Sequence, residues 1–261
     1  MIDTHCHLTF PEFRDRVPEV LAEAAEAGVT GLITISTTSV DCEHALAIAR
    51  AHERVWCSAG VHPLYADKGP HDWARITRVA ADPKCVAWGE LGLDRHYDEP
   101  PFDLQVAVLD EQLEVIRGTT HRPASLPIIL HCRDAFDDLI PRLEATGLDP
   151  ARFVFHCFTG GPDEARRCLD FGAMISFTGV VTYPNAREVA AAATLVPADR
   201  ILIETDAPFL APAPHRGKRP CRPAWVRHTA EFIADARGLP FDEFHRIVND
   251  NTARFFGIDA R

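Results

Sequence analysis

Residues 1–8 read MIDTHCHL. Read as a strand, this run points successive side chains to opposite faces. His5 and His7 therefore share one face, and Cys6 takes the other. Two neighbouring imidazoles make half of a metal site, since neutral imidazole suits zinc and several other divalent ions. Two unrelated surface histidines are the plainer alternative. The rest of the chain has to decide between them.

The same kind of run recurs along the chain. TGLITIST lies at 30–37, RVWCSAGVHP at 54–63, CVAWGELGLD at 85–94 and LPIILHC at 126–132. RFVFHCF follows at 152–158, AMISFTGVV at 173–181 and RILIETDAP at 200–208. Helical patterns fill the gaps. In 102–117, Phe102, Val106, Leu109, Leu113 and Ile116 fall four and three apart, which is one helix face. A second stripe, Trp225, Val226, Thr229, Phe232, Ile233 and Ala236, marks a helix over 222–237. Pro141 predicts a kinked or short helix after the fifth strand.

Strands alternating with helices imply a parallel sheet with right-handed crossovers. Eight such units predict a single α/β domain over 1–261, a closed (β/α)8 TIM barrel. An open doubly wound sheet is the runner-up, but no GxGxxG follows the first strand. The proline- and arginine-rich stretch 207–223, APFLAPAPHRGKRPCRP, reads as a long loop after strand eight.

Composition narrows the function. With 46% hydrophobic and 25% charged residues, the chain is an ordinary soluble globular protein. No run approaches the roughly 20 apolar residues that span a bilayer, and the N-terminus lacks a signal-peptide pattern. A cytoplasmic protein is expected, with no membrane association and no obligate protein partner. A net charge of −11 argues against loose, charge-driven binding of nucleic acid. It leaves room for a metal-centred nucleic-acid enzyme with a local basic patch. The eight cysteines include no CxxC. Cys6, Cys132 and Cys157 each follow a histidine, and alternation turns them toward the helix layer as free thiols.

In such a barrel, catalytic groups gather at the C-terminal ends of the strands. Those ends carry His5 and His7, His62, Glu90, His131, His156 and Asp206. A lone histidine on an apolar strand is usually a core residue, and a lone aspartate before a helix is usually a cap. Four histidines (His5, His7, His131, His156) and two carboxylates at matching strand ends need another reason. Neutral nitrogen donors with carboxylates to offset charge are a metal-ligand inventory. Six ligands suit two ions, and a two-metal site needs a bridge. Glu90 lies between the others in barrel order and can bridge through two oxygens. Two divalent ions acidify bound water, so the implied chemistry is hydrolysis.

The motifs DTHCHL, GVHP, GELGLD, HCRDA, FHCFTG, ETDAP and HRGKR occur in order between residues 3 and 219. In this the chain resembles the TatD family of metal-dependent deoxyribonucleases, within the amidohydrolase-like superfamily. The resemblance implies a TIM barrel with two divalent ions, for which zinc, manganese and magnesium are all acceptable. It implies that His5, His7, Glu90 and Asp206 hold one ion, and that Glu90, His131 and His156 hold the other. His62 and Arg133 would face the substrate phosphate. Members are described as DNases, commonly 3′→5′ exonucleases on single strands, and some are linked to removal of D-amino acids from tRNA. Two departures stand out. Where the family continues after HRGKR with Asn-Glu-Pro, this chain has Pro220-Cys221-Arg222-Pro223. Trp88 falls by alternation on the face of Glu90, where it would fill the barrel beneath the ions.

The expected reaction is attack of metal-activated hydroxide on a phosphodiester, with Glu90 and Asp206 catalytic. Asp206 would also accept the water's proton, and Arg133 would grip a nonbridging oxygen in a fork. Arg216, Lys218, Arg219 and Arg222 place four cations within seven residues after strand eight, a candidate phosphate cradle. A solvated loop is the alternative. The rival functions are a D-aminoacyl-tRNA deacylase and a small-molecule amidohydrolase or lactonase. The latter often uses a modified lysine bridge, and no lysine stands at a strand end here.

Overall fold

In a computed structural model describing residues 1–120 and 122–259, the eight apolar runs form one parallel sheet in chain order. The strands are β1 (Ile2–Cys6), β2 (Gly31–Thr34), β3 (Val55–Ala59), β4 (Cys85–Asp94), β5 (Ile128–Arg133), β6 (Phe153–Phe155), β7 (Met174–Phe177) and β8 (Ile201–Ile203). Helices α1 (Val17–Glu26), α2 (Asp41–Ala51), α3 (Trp73–Ala80), α4 (Phe102–Gly118), α5 (Phe136–Ala145), α6 (Pro162–Phe171), α7 (Arg187–Leu195) and α8 (Val226–Ala236) follow them in turn. A doubly wound sheet would leave two edges. Here the first and last strands meet just beyond β8, through a parallel Cys6–Ala207 bridge. His7 N–H donates to Ala207 O at 2.8 Å, and Asp206 N–H donates to His5 O at 2.9 Å. The closure itself therefore sets Asp206 beside His5 and His7.

β6 and β8 are shorter than the apolar runs that contain them. Just beyond these strands, Cys157 and Asp206 take left-handed conformations, φ 43° and 58°. Both turns fall where the site begins.

Alternation divides the core into two layers. Ile33, Ile35, Val86, Ile129, Val154 and Leu202 form the inner cluster. A further helix, α9 (Phe241–Phe256), adds Phe256 to that cluster, and Ile258 just after it joins too. Cys6, Cys57, Cys85 and Cys132 belong to the outer cluster with helix residues such as Ala24, Ala45 and Ile76. All eight cysteines are free.

Trp88 departs from the expectation of a barrel filler. It is buried in the outer cluster, and its indole N–H donates to Pro123 O at 2.8 Å. Strict alternation fails because β4 and β5 slip in register between Trp88 and Leu91, next to Gly89 at φ 115°. One irregular residue lets Trp88 face out and Glu90 face in. A Cβ on Gly89 would lie 2.5 Å from Ile129 O, so only glycine fits there.

The helix faces are also turned slightly from the simplest stripes. α4 buries Gln105, Val108, Leu109, Gln112, Leu113 and Ile116, while Phe102 and Val106 are half-buried. In α8, Phe232 is exposed and Ala230 is buried. α5 is short, as expected, and keeps Pro141 within its ten residues. Among the described residues no helix is long and apolar enough to cross a membrane.

Candidate metal centre

The barrel's C-terminal mouth brings Glu90 together with the other five expected ligands. One carboxylate oxygen, Oε2, lies 3.2 Å from His5 Nε2. The other, Oε1, lies 2.6 Å from His156 Nε2, 2.9 Å from His131 Nδ1 and 3.2 Å from His62 Nε2. Asp206 Oδ1 sits 3.3 Å from His7 Nε2 and 3.7 Å from His5 Nε2. Ligand atoms of His5, His7 and Asp206 all fall within 4.8 Å of one another, as do those of His62, Glu90 and His131.

The back of each ring explains its front. His7 Nδ1 lies 3.2 Å from Ile35 O, His131 Nε2 lies 2.9 Å from Asp94 Oδ2, and His156 Nδ1 lies 3.1 Å from Glu204 Oε1. In a neutral imidazole, the nitrogen facing an acceptor carries the hydrogen and the other keeps its lone pair. The lone pairs of His7, His131 and His156 therefore point into the site, that of His131 toward His62 Nε2 at 3.1 Å, with the carboxylates and the carbonyl behind the rings fixing their orientation as behind metal ligands. His62 is the opposite case. Its Nδ1 accepts Leu64 N–H at 3.0 Å, so its Nε2 carries the proton. It faces the site as a hydrogen-bond donor.

Several buried atoms of the cluster have no hydrogen-bond partner: His5 Nδ1 and Nε2, His156 Nε2 and Glu90 Oε2. Buried polar atoms without partners call for a specific explanation, a bound ion among them. Atoms that converge without aiming at one another fit ligands sharing an ion. The chemistry of the donor set agrees: imidazole nitrogen and carboxylate oxygen.

Electrostatics bind the cluster together. Burial would raise the Glu90 pKa, but His156, His62 and His5 outweigh it and hold the carboxyl well below its usual range. Burial opposes a charge on His131, yet Asp94 and Glu90 raise its pKa. His156 is raised well above the ordinary value by Glu90 and Glu204, again against burial. His62 drops to about 4, chiefly through burial, and stays neutral.

Asp94 and Glu204 were not among the residues singled out by sequence. Both stand inside quoted motifs, at two-residue steps from Glu90 and Asp206, so alternation was the available signal. Glu204 also accepts from Ser176 Oγ at 2.7 Å and from Cys157 N–H at 2.6 Å. Two glutamines on α4 carried no signal at all. Gln112 brackets Val61, accepting from its N–H at 2.8 Å and donating to its C=O at 3.0 Å, and so fixes the approach to His62. Gln105 accepts from Asp94 N–H at 2.9 Å.

A cavity of 430 Å³ opens over the cluster, bordered by Phe10, Tyr65, Tyr97, Arg133 and Phe209. Cys157 borders it too, with Sγ 3.7 Å from Thr178 Oγ1. It lies outside the outer core cluster that holds Cys6 and Cys132, although Cys132 also borders the cavity, and its backbone is left-handed at φ 43°. Arg133 forms no ion pair among the described residues, and its guanidinium lies 5.2 Å from the Tyr97 ring centroid. The basic loop is less uniform than its composition. Arg219 stacks on Phe209 at 4.7 Å and contacts Glu12 Oε1 at 3.2 Å. Arg216 stacks on Tyr183 and donates to Asn185 Oδ1 at 2.9 Å, and Lys218 Nζ reaches His215. Arg222 pairs instead with Glu23 of α1, 2.5 Å away.

Known proteins bear out the resemblance. The family profile described as TatD related DNase matches residues 2–257. The chain is 37% identical to the uncharacterized metal-dependent hydrolase YcfH of Escherichia coli K12, over 100% of this chain and 97% of that protein. It is 34% identical to the 3′-5′ ssDNA/RNA exonuclease TatD of Erwinia amylovora, over 99% and 100% of the two chains. The crystal structure of YJJV, a TatD homologue of E. coli, superposes with a TM-score of 0.90 at 32% identity, covering 99% of this chain and 98% of the other. With its eight-stranded barrel and carboxylate-centred histidine cluster, the chain belongs to the TatD family of metal-dependent hydrolases.

Proposed function

We propose that this enzyme hydrolyses phosphodiester bonds of single-stranded nucleic acid from a 3′ end, with two divalent ions at the barrel mouth. The whole span 1–261 acts as one catalytic domain, since ligands come from both ends of the sheet. The observation that carries the reading is the division of Glu90. One oxygen faces His5, next to His7 and Asp206, and the other faces His131 and His156. His5, His7, Glu90 and Asp206 would hold the first ion, and Glu90, His131 and His156 the second. When bound, the ions supply charge neutralisation at the phosphoryl oxygens and a more acidic water.

The chain's own residues do the rest. Arg133, unpaired with any described carboxylate, grips a nonbridging oxygen through its fork. His62 Nε2, which carries the hydrogen and lies 3.1 Å from His131 Nδ1 and 3.2 Å from Glu90 Oε1, turns that hydrogen to the phosphate once His131 and Glu90 are engaged by metal. Asp206, which lines the cavity, takes the proton of the attacking water. Arg216, Lys218 and Arg219 attract the strand beyond the cavity. The exonuclease named TatD among the relatives supports this substrate class. Eight free thiols suit a cytoplasmic enzyme.

The test is digestion of a 5′-labelled single strand of DNA or RNA with added manganese or magnesium. Stepwise shortening by one nucleotide from the 3′ end is expected. An intact strand, alongside metal-dependent cleavage of D-aminoacyl-tRNA or of a lactone, would overturn the reading.

A further inference from the structure

The geometry points to two aromatic platforms, Phe10–Phe209 and Tyr97, that stack the bases on opposite sides of the scissile phosphate. This inference rests on the nuclease reading and adds to it how the substrate is gripped.

Phe10 follows β1 and Phe209 follows β8, the neighbouring strands that close the barrel. Their rings meet edge to face at 5.9 Å, and His7 stacks on Phe10 at 4.7 Å. Arg219 covers one side of Phe209, 4.7 Å from its centroid. Tyr97 follows β4. In an eight-stranded barrel with strands in chain order, β4 stands across the mouth from β8. The Glu90 cluster lies between the two groups, and all three aromatics border the same cavity.

Tyr97 is the telling residue. It is 50% exposed, although a large aromatic ring ordinarily gains by burial. Arg133 flanks it, at 5.2 Å from the ring and 3.5 Å from the hydroxyl. An exposed ring beside an unpaired guanidinium matches what a nucleotide offers, a π-face and a phosphate. Proteins that bind single strands combine such cations with aromatic platforms, and every base has a face to stack. The substrate class is therefore unpaired nucleic acid with any base at either position. Because the platforms oppose each other, the two bases must part across the cluster. A duplex, whose bases stay stacked and paired, would be a poor substrate.

The experiment compares KM and kcat on single strands that are intact or abasic at one of the two 3′-terminal positions. Wild type, Tyr97→Ala, Tyr97→Phe and Phe209→Ala are each measured, with binding followed separately by anisotropy under chelation. In the wild type, one missing base should raise KM about tenfold with little change in kcat, the scale of a lost base stack. Tyr97→Ala should raise KM about as much on the intact strand, and should abolish the penalty for one abasic position only. Phe209→Ala should abolish it for the other. Tyr97→Phe, which loses the hydroxyl contact to Arg133 but keeps the face, should behave as wild type. Equal KM for intact and abasic strands in the wild type would overturn the platforms while leaving the nuclease standing. So would an Ala variant whose loss is the same on both strands. Absence of cleavage of every strand by the wild type would overturn the nuclease reading, and the platforms with it.

Discussion

Glu204 accepts from His156 Nδ1 at 3.1 Å, and so turns Nε2 toward Glu90, 2.6 Å away. A buried carboxylate behind a histidine fixes both its tautomer and its basicity. Glu204→Gln keeps the shape and one acceptor but removes the charge. Its affinity for manganese should fall about 10- to 100-fold by calorimetric titration. Unchanged affinity would mean that His156 does not reach an ion.

The pH dependence of stability should change sign with metal. The raised pKa values of His7, His131 and His156 mean that the folded, metal-free protein binds protons that the unfolded chain releases above about pH 6.5. Their contribution is present below that pH and is lost as pH rises through the folded values. His5 and His62 have lowered values, so they oppose it only below about pH 6.5. Asp3, raised to about 8 by burial, adds to this trend, and the Met1 amine, lowered to about 6 by burial, opposes it. With four groups against one, the melting temperature of chelated protein should rise from about pH 8 to pH 7. With saturating metal it should fall over the same interval, because protons then compete with the ions. Parallel curves in differential scanning fluorimetry would contradict this.

Arg133 tests the fork. Arg133→Ala should raise KM for an oligonucleotide about tenfold or more, the loss of one charge-assisted contact of about 1.5–3 kcal/mol. Arg133→Lys should recover only part of it, since a point charge cannot copy a bidentate grip. Full recovery by lysine would show that charge alone suffices.

The basic loop should act unevenly. Arg219 reaches the cavity edge through Phe209, whereas Arg222 is held by Glu23 on α1. Arg219→Ala should reduce the salt dependence of single-strand binding by about 0.7 in the log–log slope, one phosphate contact. Arg222→Ala should leave that slope unchanged. If both variants behave as wild type, the loop is a solvated surface.

Much of this was legible without coordinates. The barrel followed from eight alternating runs, and its six candidate ligands from their positions at strand ends. What escaped did so for local reasons. Gly89 and the register slip beside it cannot be read from hydropathy, so Trp88 was assigned to the wrong face. Cys157 and Asp206 leave the sheet through left-handed turns that apolar runs of ordinary appearance conceal. Gln105 and Gln112 look like surface residues of an amphipathic helix and are in fact buried against backbone groups beside the site. Asp94 and Glu204 could have been found by carrying the alternation four residues on from Glu90 and two residues back from Asp206.

The bridging role of Glu90 is tested most directly by anomalous diffraction from crystals soaked in manganese. Two peaks should flank Glu90, about 3.5–4 Å apart as in two-metal sites. One should be bounded by His5, His7 and Asp206, and the other by His131 and His156. In Glu90→Gln crystals both should weaken or vanish. A single peak in the wild type, or two peaks that persist at full occupancy in Glu90→Gln, would contradict a centre bridged by Glu90.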